Sequence, residues 1–262
     1  MLYRELAPIT QETWDEIDER AAEVLKSYLT GRKVVKVNGP KGLDYNAISE
    51  GRLVHVVEDG DICHGNYQIL PLTEVRREFE IDRWELDNIA RGAKDIDYEP
   101  LENALKDVAI FEDNAIYNGL ESAIIEGIEN SREGESIPLG DNPKEIMEAI
   151  TEGVIRLKNA YADGPYTLVV NEEAYKIILS VDTGYPFDDK IKKLIGGEIL
   201  LSHVVEGAYL LPYNHDDLEL TIGRDYSIGY QAHDIKKVRF FIAESFTFRV
   251  LDPAIIVKFD VK

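Results

Sequence analysis

Residues 48–83 carry the pattern of long β-strands but too few apolar residues to bury them. "GRLVHVV", then Asp59-Gly60, then "DICHGNYQIL" reads as two strands about a tight turn. Asp-Gly supplies the positive φ that such turns need. In "REFEIDRW" the alternation sets Phe79 and Ile81 on one face and Glu78, Glu80 and Asp82 on the other. An isolated hairpin is barely stable in water. A long polar one must lie on something else, and that condition bears on every other part of the chain.

On either side of this arm the periodicity is helical. In "TQETWDEIDERAAEVLKSYLTG", Thr13 and Glu16 have capping-box spacing, with Thr10 as an alternative start. Trp14, Ile17, Ala21, Val24, Leu25 and Tyr28 recur at steps of three and four as one apolar stripe, and Gly31 is expected to end the helix. "RKVVKV" reads as a strand. "LENALKDVAIFEDNAIYNGL" places Leu101, Leu105, Val108, Phe111 or Glu112, and Ala115 along one side of a rod of about 30 Å. A loop over 131–141, rich in Gly, Ser and Pro, marks a boundary. Asn142 then caps a helix with Pro143 in its first position, and Asn171 caps "EEAYKIILS" after the buried strand "YTLVV". The loop "VDTGYPFDD" leads to a short helix ending at Gly196-Gly197. "EILLS", "AYLLPY", "LELTI", "VRFFIAESFTFRVL" and "AIIVKF" are strands. The late strands must pair with early elements, which makes an α+β protein with an inserted α/β domain.

Charge and chemistry narrow the function. The chain has 262 residues, with 50 Asp and Glu against 29 Lys and Arg, a formal net charge of -21. Binding nucleic acid needs Lys and Arg to displace phosphate counterions, so this balance opposes it, and anionic membranes are opposed likewise. The single cysteine, Cys63, excludes an internal disulfide and fits a reducing compartment. No apolar run approaches a membrane span, and "MLYRELAPIT" lacks the order of a secretory signal, so a cytoplasmic location is expected. The histidines His55, His64, His203, His215 and His233 have no helical metal-ligand spacing. Cys63 and His64 point to opposite faces of a strand. Phosphate loops and nucleophile elbows are absent from the sequence, so no metal, no catalytic residue and no required cofactor is expected. Binding or assembly becomes the leading class.

Several stretches, in order, resemble the encapsulins, shell proteins of bacterial and archaeal nanocompartments. They are "LAPIT…W…IDERA", "GRKVVKVNGP", "WELDNIARG", "FEDNAIYNG", "GPYTLVVN", "GRDYSIGY" and "ESFTFRVLDPAIIV", and they span nearly the whole chain. The resemblance implies the HK97 phage-capsid-like fold. Residues 1–47 would then hold the N-terminal helix and the start of the P-domain, and 48–83 the extended E-loop. The spine helix would lie in 84–130, the A-domain in 131–220, and the closing P-domain strands in 221–262. It also implies a homo-oligomer, an icosahedral shell of the smallest kind (T=1, a 60-mer), enclosing a cargo enzyme. That enzyme, a ferritin-like iron oxidase, a rubrerythrin-like protein or a dye-decolorising peroxidase, would bear a C-terminal loading peptide. Iron storage and oxidative-stress defence are the matching roles. A prophage capsid protein is the alternative, and the negative charge opposes it.

By the same resemblance, the loading peptide docks on Ile17, Ala21, Val24, Leu25, Tyr28, Arg32, Ile228 and Tyr230, although the helix stripe also reads as plain core packing. Lys36 stands where some relatives carry an acid. "DTGYPFDD" matches the loop lining the pore at the fivefold axis: Asp182, Thr183, Gly184, Tyr185, Pro186, Asp188 and Asp189. Copies of those acids around one opening would attract cations such as ferrous iron. Trp84, with Arg76 nearby, matches a flavin site in some relatives. Glu78 would repel a flavin phosphate, so an interface anchor is the expectation for Trp84.

Overall fold

The computed structural model describes residues 1–180 and 186–261. Helix α1 (Gln11–Tyr28) starts at Thr10, whose Oγ1 accepts the Thr13 N–H at 3.2 Å. Thr13 is buried on the inner face and does not cap. The helix stops at Tyr28, before Gly31. Gly31 answers a packing need instead, because a Cβ there would stand 2.6 Å from Ile116 Cδ1. Strand β1 (Lys36–Asn38) is shorter than expected, since Val34 and Val35 enter the core outside any strand.

The arm is β2 (Ala47–Asp59) and β3 (Ile62–Pro71), an antiparallel pair that forms a sheet of its own. Asp59 pairs with Ile62, so the turn residues are Gly60 and Asp61, one place later than the sequence suggested, and Gly60 supplies the positive φ of 61°. Register shifts between Ser49 and Leu53 and between Val54 and Val57 coincide with positive φ at Gly51 and His55. Such bulges bend and twist a ribbon.

The chain continues through β4 (Thr73–Asp82), α2 (Arg83–Ala90), α3 (Glu99–Tyr117) and α4 (Gly127–Ser131). Then come β5 (Ile137–Pro138), α5 (Pro143–Asn159), β6 (Tyr166–Val170), α6 (Glu172–Ser180) and α7 (Phe187–Ile195). It finishes with β7 (Ile199–Leu201), β8 (Ala208–Pro212), β9 (Leu218–Ile222), β10 (Ser227–His233), β11 (Lys237–Val250) and β12 (Val257–Asp260). The helix starts read from the sequence hold: Asn142 Oδ1 accepts from Glu145 N, and Asn171 Oδ1 from Ala174 N.

One sheet runs β1-β9-β11-β10, with β4 also paired on β11. Phe79 faces Phe240 and Ile81 faces Val238 across that pairing. The apolar sides of α1 and α3 cover this sheet: Trp14 and Ile17, with Leu101 and Leu105, pack on Phe79, Phe240 and Ile242. A second sheet runs β5-β12-β8-β6-β7. Helix α5 lies close upon it, for a Cβ at Gly153 would stand 2.8 Å from the Phe259 ring.

Three strands lie where the segment reading did not put them. Only 47–71 forms the free hairpin, because β4 carries Phe79 and Ile81 into the core and so belongs to the body. Strand β9, from the 131–220 segment, joins the first sheet beside β1. Strand β12, from the closing 221–262 segment, pairs with β5 and β8 of the second sheet. The chain thus crosses between its two sheets more often than a simple insert would require.

Candidate functional site

The small side chains of Ala21 and Ala22 leave a gap on α1. A cavity of about 300 Å³ occupies it, floored by Leu25, Leu105, Ile228 and Ile242. Arg4 and Asp18 stand at its rim, paired at 2.6 Å. The groove thus has an apolar floor and a charged edge, suited to small aliphatic side chains on an extended peptide.

Of the residues expected here, Ala21, Leu25 and Ile228 line the groove. Ile17 and Val24 are buried behind it in the core. Tyr28 lies at the helix end with its ring centroid 5.1 Å from that of His203. Tyr230 bonds through its hydroxyl to His233 Nδ1 at 2.6 Å. Lys36 pairs with exposed Asp216 at 3.2 Å. Leu2, Arg4, Asp18, Ala22, Leu105, Tyr226, Ser227 and Ile242 complete the lining. Sequence reasoning missed them because they come from five separated segments.

Arg32 does not line the groove. It holds a half-hidden ionic cluster beside it, donating to Glu112 at 2.8 and 2.6 Å, to Asp225 at 2.7 Å and to Glu244 at 3.1 Å. Its guanidinium also lies 4.7 Å from the ring centroid of Tyr226, which lines the groove. Burial works against the charge on Arg32, but the hydrogen bond and attraction from Glu112, and then Asp225, outweigh it and raise its pKa. Glu112 and Glu244 are both fully buried, so one arginine serves two carboxylates that have left water. Burial first, and repulsion from Glu112 second, raise Glu244 well above the ordinary carboxylate range. Glu244 Oε1 has no hydrogen-bond partner among the described residues. Beside them, Asp113 accepts from Thr30 N, Thr30 Oγ1 and Gly31 N, tying the exit of α1 to α3. Burial pushes its pKa up to about 6, against the pull of those hydrogen bonds. The helix position left open between Phe111 and Glu112 thus goes to the acid, because Arg32 lies beneath it.

The expected pore residues Asp182, Thr183, Gly184 and Tyr185 lie outside the described residues. Pro186 is exposed and directly precedes α7. Asp188 and Asp189 occupy its first turn, where the helix dipole favours negative charge. Asp188 pairs with Lys192 at 3.7 Å.

Trp84 is 69% exposed, with the Arg91 guanidinium 5.4 Å from its ring centroid. Arg76 instead lies over Phe241 at 3.8 Å. From Arg76 to Asp82, next to α2, is six strand residues or roughly 20 Å, so one subunit does not bring Arg76 and Trp84 together. Cys63 is exposed on β3. Among the described residues, no His, Cys, Asp and Glu cluster could hold a metal ion, and no helix is long and apolar enough to cross a membrane.

The fold as a whole has counterparts in known proteins. A virus-like particle from Pyrococcus furiosus superposes with a TM-score of 0.68 over 94% of this chain and 98% of its own, at 15% identity. Mycobacterium phage Bobi matches at a TM-score of 0.56 and 12% identity, covering 91% and 90% of the two chains. These likenesses establish the mixed helix-and-sheet HK97-like capsid fold. The sequence comparisons go further. Residues 1–247 match the family described as "Encapsulating protein for peroxidase". The type 1 encapsulin shell protein of Rhodococcus erythropolis is 38% identical over 250 residues, covering 94% of each chain. Its counterpart in Mycobacterium tuberculosis is 37% identical with the same coverage. The chain belongs to the type 1 encapsulin shell protein family.

Proposed function

We propose that copies of this chain close into an icosahedral shell of the T=1 class around a cargo enzyme, and that the shell itself does no chemistry. The observation that carries this reading is the β2–β3 arm, whose Leu53, Val57, Ile62, Tyr67 and Ile69 are at least half exposed on a subunit that otherwise has an ordinary core. Closure of identical subunits would cover them and remove the free strand edges. Trp84 serves as a further contact between copies, with no flavin required. The cargo segment docks by its C-terminal loading peptide in the groove of Ala21, Leu25 and Ile228. Candidate cargoes are the ferritin-like, rubrerythrin-like and dye-decolorising peroxidase classes. The family description, which names a peroxidase, favours the last.

Asp188 and Asp189, with Asp182, line the route by which cations enter. Parallel uptake of ferrous iron by loaded shells carrying all three as Asn tests that role; an unchanged rate rejects it. The cytoplasm is the compartment such a cage would occupy.

Electron microscopy of the purified protein, with mass spectrometry of what copurifies, tests the whole reading. Closed particles containing a second protein are expected. A monodisperse monomer would overturn the shell. The second reading, a prophage capsid protein, draws on the shared phage fold; particles filled with genome-length nucleic acid would favour it. The net charge of -21 argues against such contents.

A further inference from the structure

Strand β10 ends its sheet, so one row of its backbone groups faces away from β11. That edge is not bare. Tyr230 N–H donates to the Leu2 carbonyl at 2.8 Å. Leu2 and Arg4 also line the groove, together with Ala21, Ala22 and Leu25 of α1. Residues 2–4 therefore lie on the strand edge as a strap that closes one side of the groove. Gly229 gives it room, since a Cβ there would stand 2.9 Å from the Leu2 carbonyl.

The fastenings are few. Besides the Leu2 hydrogen bond there is the Arg4–Asp18 pair, with both partners partly exposed to water. The Arg4 guanidinium also lies 3.9 Å from the Trp14 ring centroid. Two features count against the strap. Tyr3 sits at a φ of 51°, in the left-handed region that L side chains rarely adopt. Arg4 Nε is buried with no hydrogen-bond partner among the described residues.

We propose that residues 2–4 are a displaceable strap, and that an extended cargo segment binds by replacing it as an added strand on the edge of β10. This rests on the cargo-binding reading above. Main-chain hydrogen bonds to a sheet edge can be remade by any extended peptide, while side-chain pockets choose among them. Ile228, two residues before Tyr230, offers its backbone to the same side by strand alternation and its side chain to the groove. A strap closed most of the time lowers the apparent affinity of the incoming segment by the fraction open.

The test uses a fluorescent synthetic peptide of residues 1–7, MLYRELA, titrated into three kinds of shell: the full chain, the chain lacking residues 2–6, and Arg4→Ala. The shortened shells should bind it saturably, the full chain about tenfold or more weakly, and Arg4→Ala in between. Amide exchange at Tyr230 should quicken on truncation and slow again when the peptide is added. Equal binding to all three, or none to shortened shells that electron microscopy shows intact, overturns the strap. If the shortened chain does not assemble, Arg4→Ala against the parent decides, and equal affinity overturns it. Shortened shells that still copurify cargo but ignore the peptide sink the strap alone. The absence of cargo from every variant expressed in the native cell sinks the docking reading, while peptide binding still tests the strap.

Discussion

Arg32 shows how one buried charge constrains its neighbours. It faces Glu112, Glu244 and Asp225, and its removal would leave two buried carboxylates uncompensated. Breaking such a pair costs about 3–5 kcal/mol, so Arg32→Ala should lower the thermal midpoint strongly or prevent assembly. Calorimetry of purified particles checks this. The pH dependence follows from Glu244, whose folded pKa burial and the neighbouring Glu112 raise well above the ordinary carboxylate range, and from Asp113, raised from 3.8 to about 6. A carboxyl raised on folding binds its proton more tightly in the folded state. Its contribution is therefore complete below its unfolded pKa and is lost as pH climbs through the folded one. Stability should fall from about pH 4 to 6 through Asp113, and Glu244, raised in the same sense, adds to the loss as pH rises. Glu244→Gln should remove that share of the fall, so the variant gains on the parent as pH rises. Thermal midpoints at pH 5, 7 and 9 that run parallel for the two proteins would refute this. In the groove, Ala22 is exposed and borders the cavity. Ala22→Trp should fill that space and cut copurified cargo about tenfold, equivalent to ~1.4 kcal/mol, with particles intact by electron microscopy.

Among the elements, the arm is the one that cannot account for its own stability. Among the described residues, strands β2 and β3 pair only with each other. Covering one large apolar side chain contributes about 1.5–3 kcal/mol, and the arm offers several. Tyr67→Glu with Ile69→Glu should abolish closed particles and leave a folded subunit, because neither residue touches the body's core. Size-exclusion chromatography with circular dichroism checks both halves of that expectation. Particles of unchanged size would remove the arm from the assembly. Helix α1 works in the opposite sense: Trp14 and Ile17 hold it to the sheet, and its two alanines leave the groove open.

For the whole molecule, a charge of -21 per chain is multiplied by every copy in a shell. Self-repulsion between subunits is screened over about 10 Å at 0.1 M salt and about 3 Å at 1 M. Raising sodium chloride from low to high concentration should therefore raise the thermal midpoint of the particles by several degrees. A midpoint that falls with salt would point to attractive ion pairs as the dominant contact between copies.

The sequence alone determined the local elements and the strangeness of the arm. The Asn142 and Asn171 caps rest on contacts within a few residues, and the α1 stripe and the alternation in β4 on the period of a single element, all of which spacing reports directly. Family motifs read in order carried the fold class. Tertiary structure decided what depends on distant partners. It brought β12 to the second sheet, set Glu112 of α3 against Arg32, and gathered Leu2, Ala22, Leu105 and Ile228 around one groove. A buried ion pair across 80 residues and a cavity built from five segments leave no periodicity along the chain, because the contacts that define them form only once the sheets have packed.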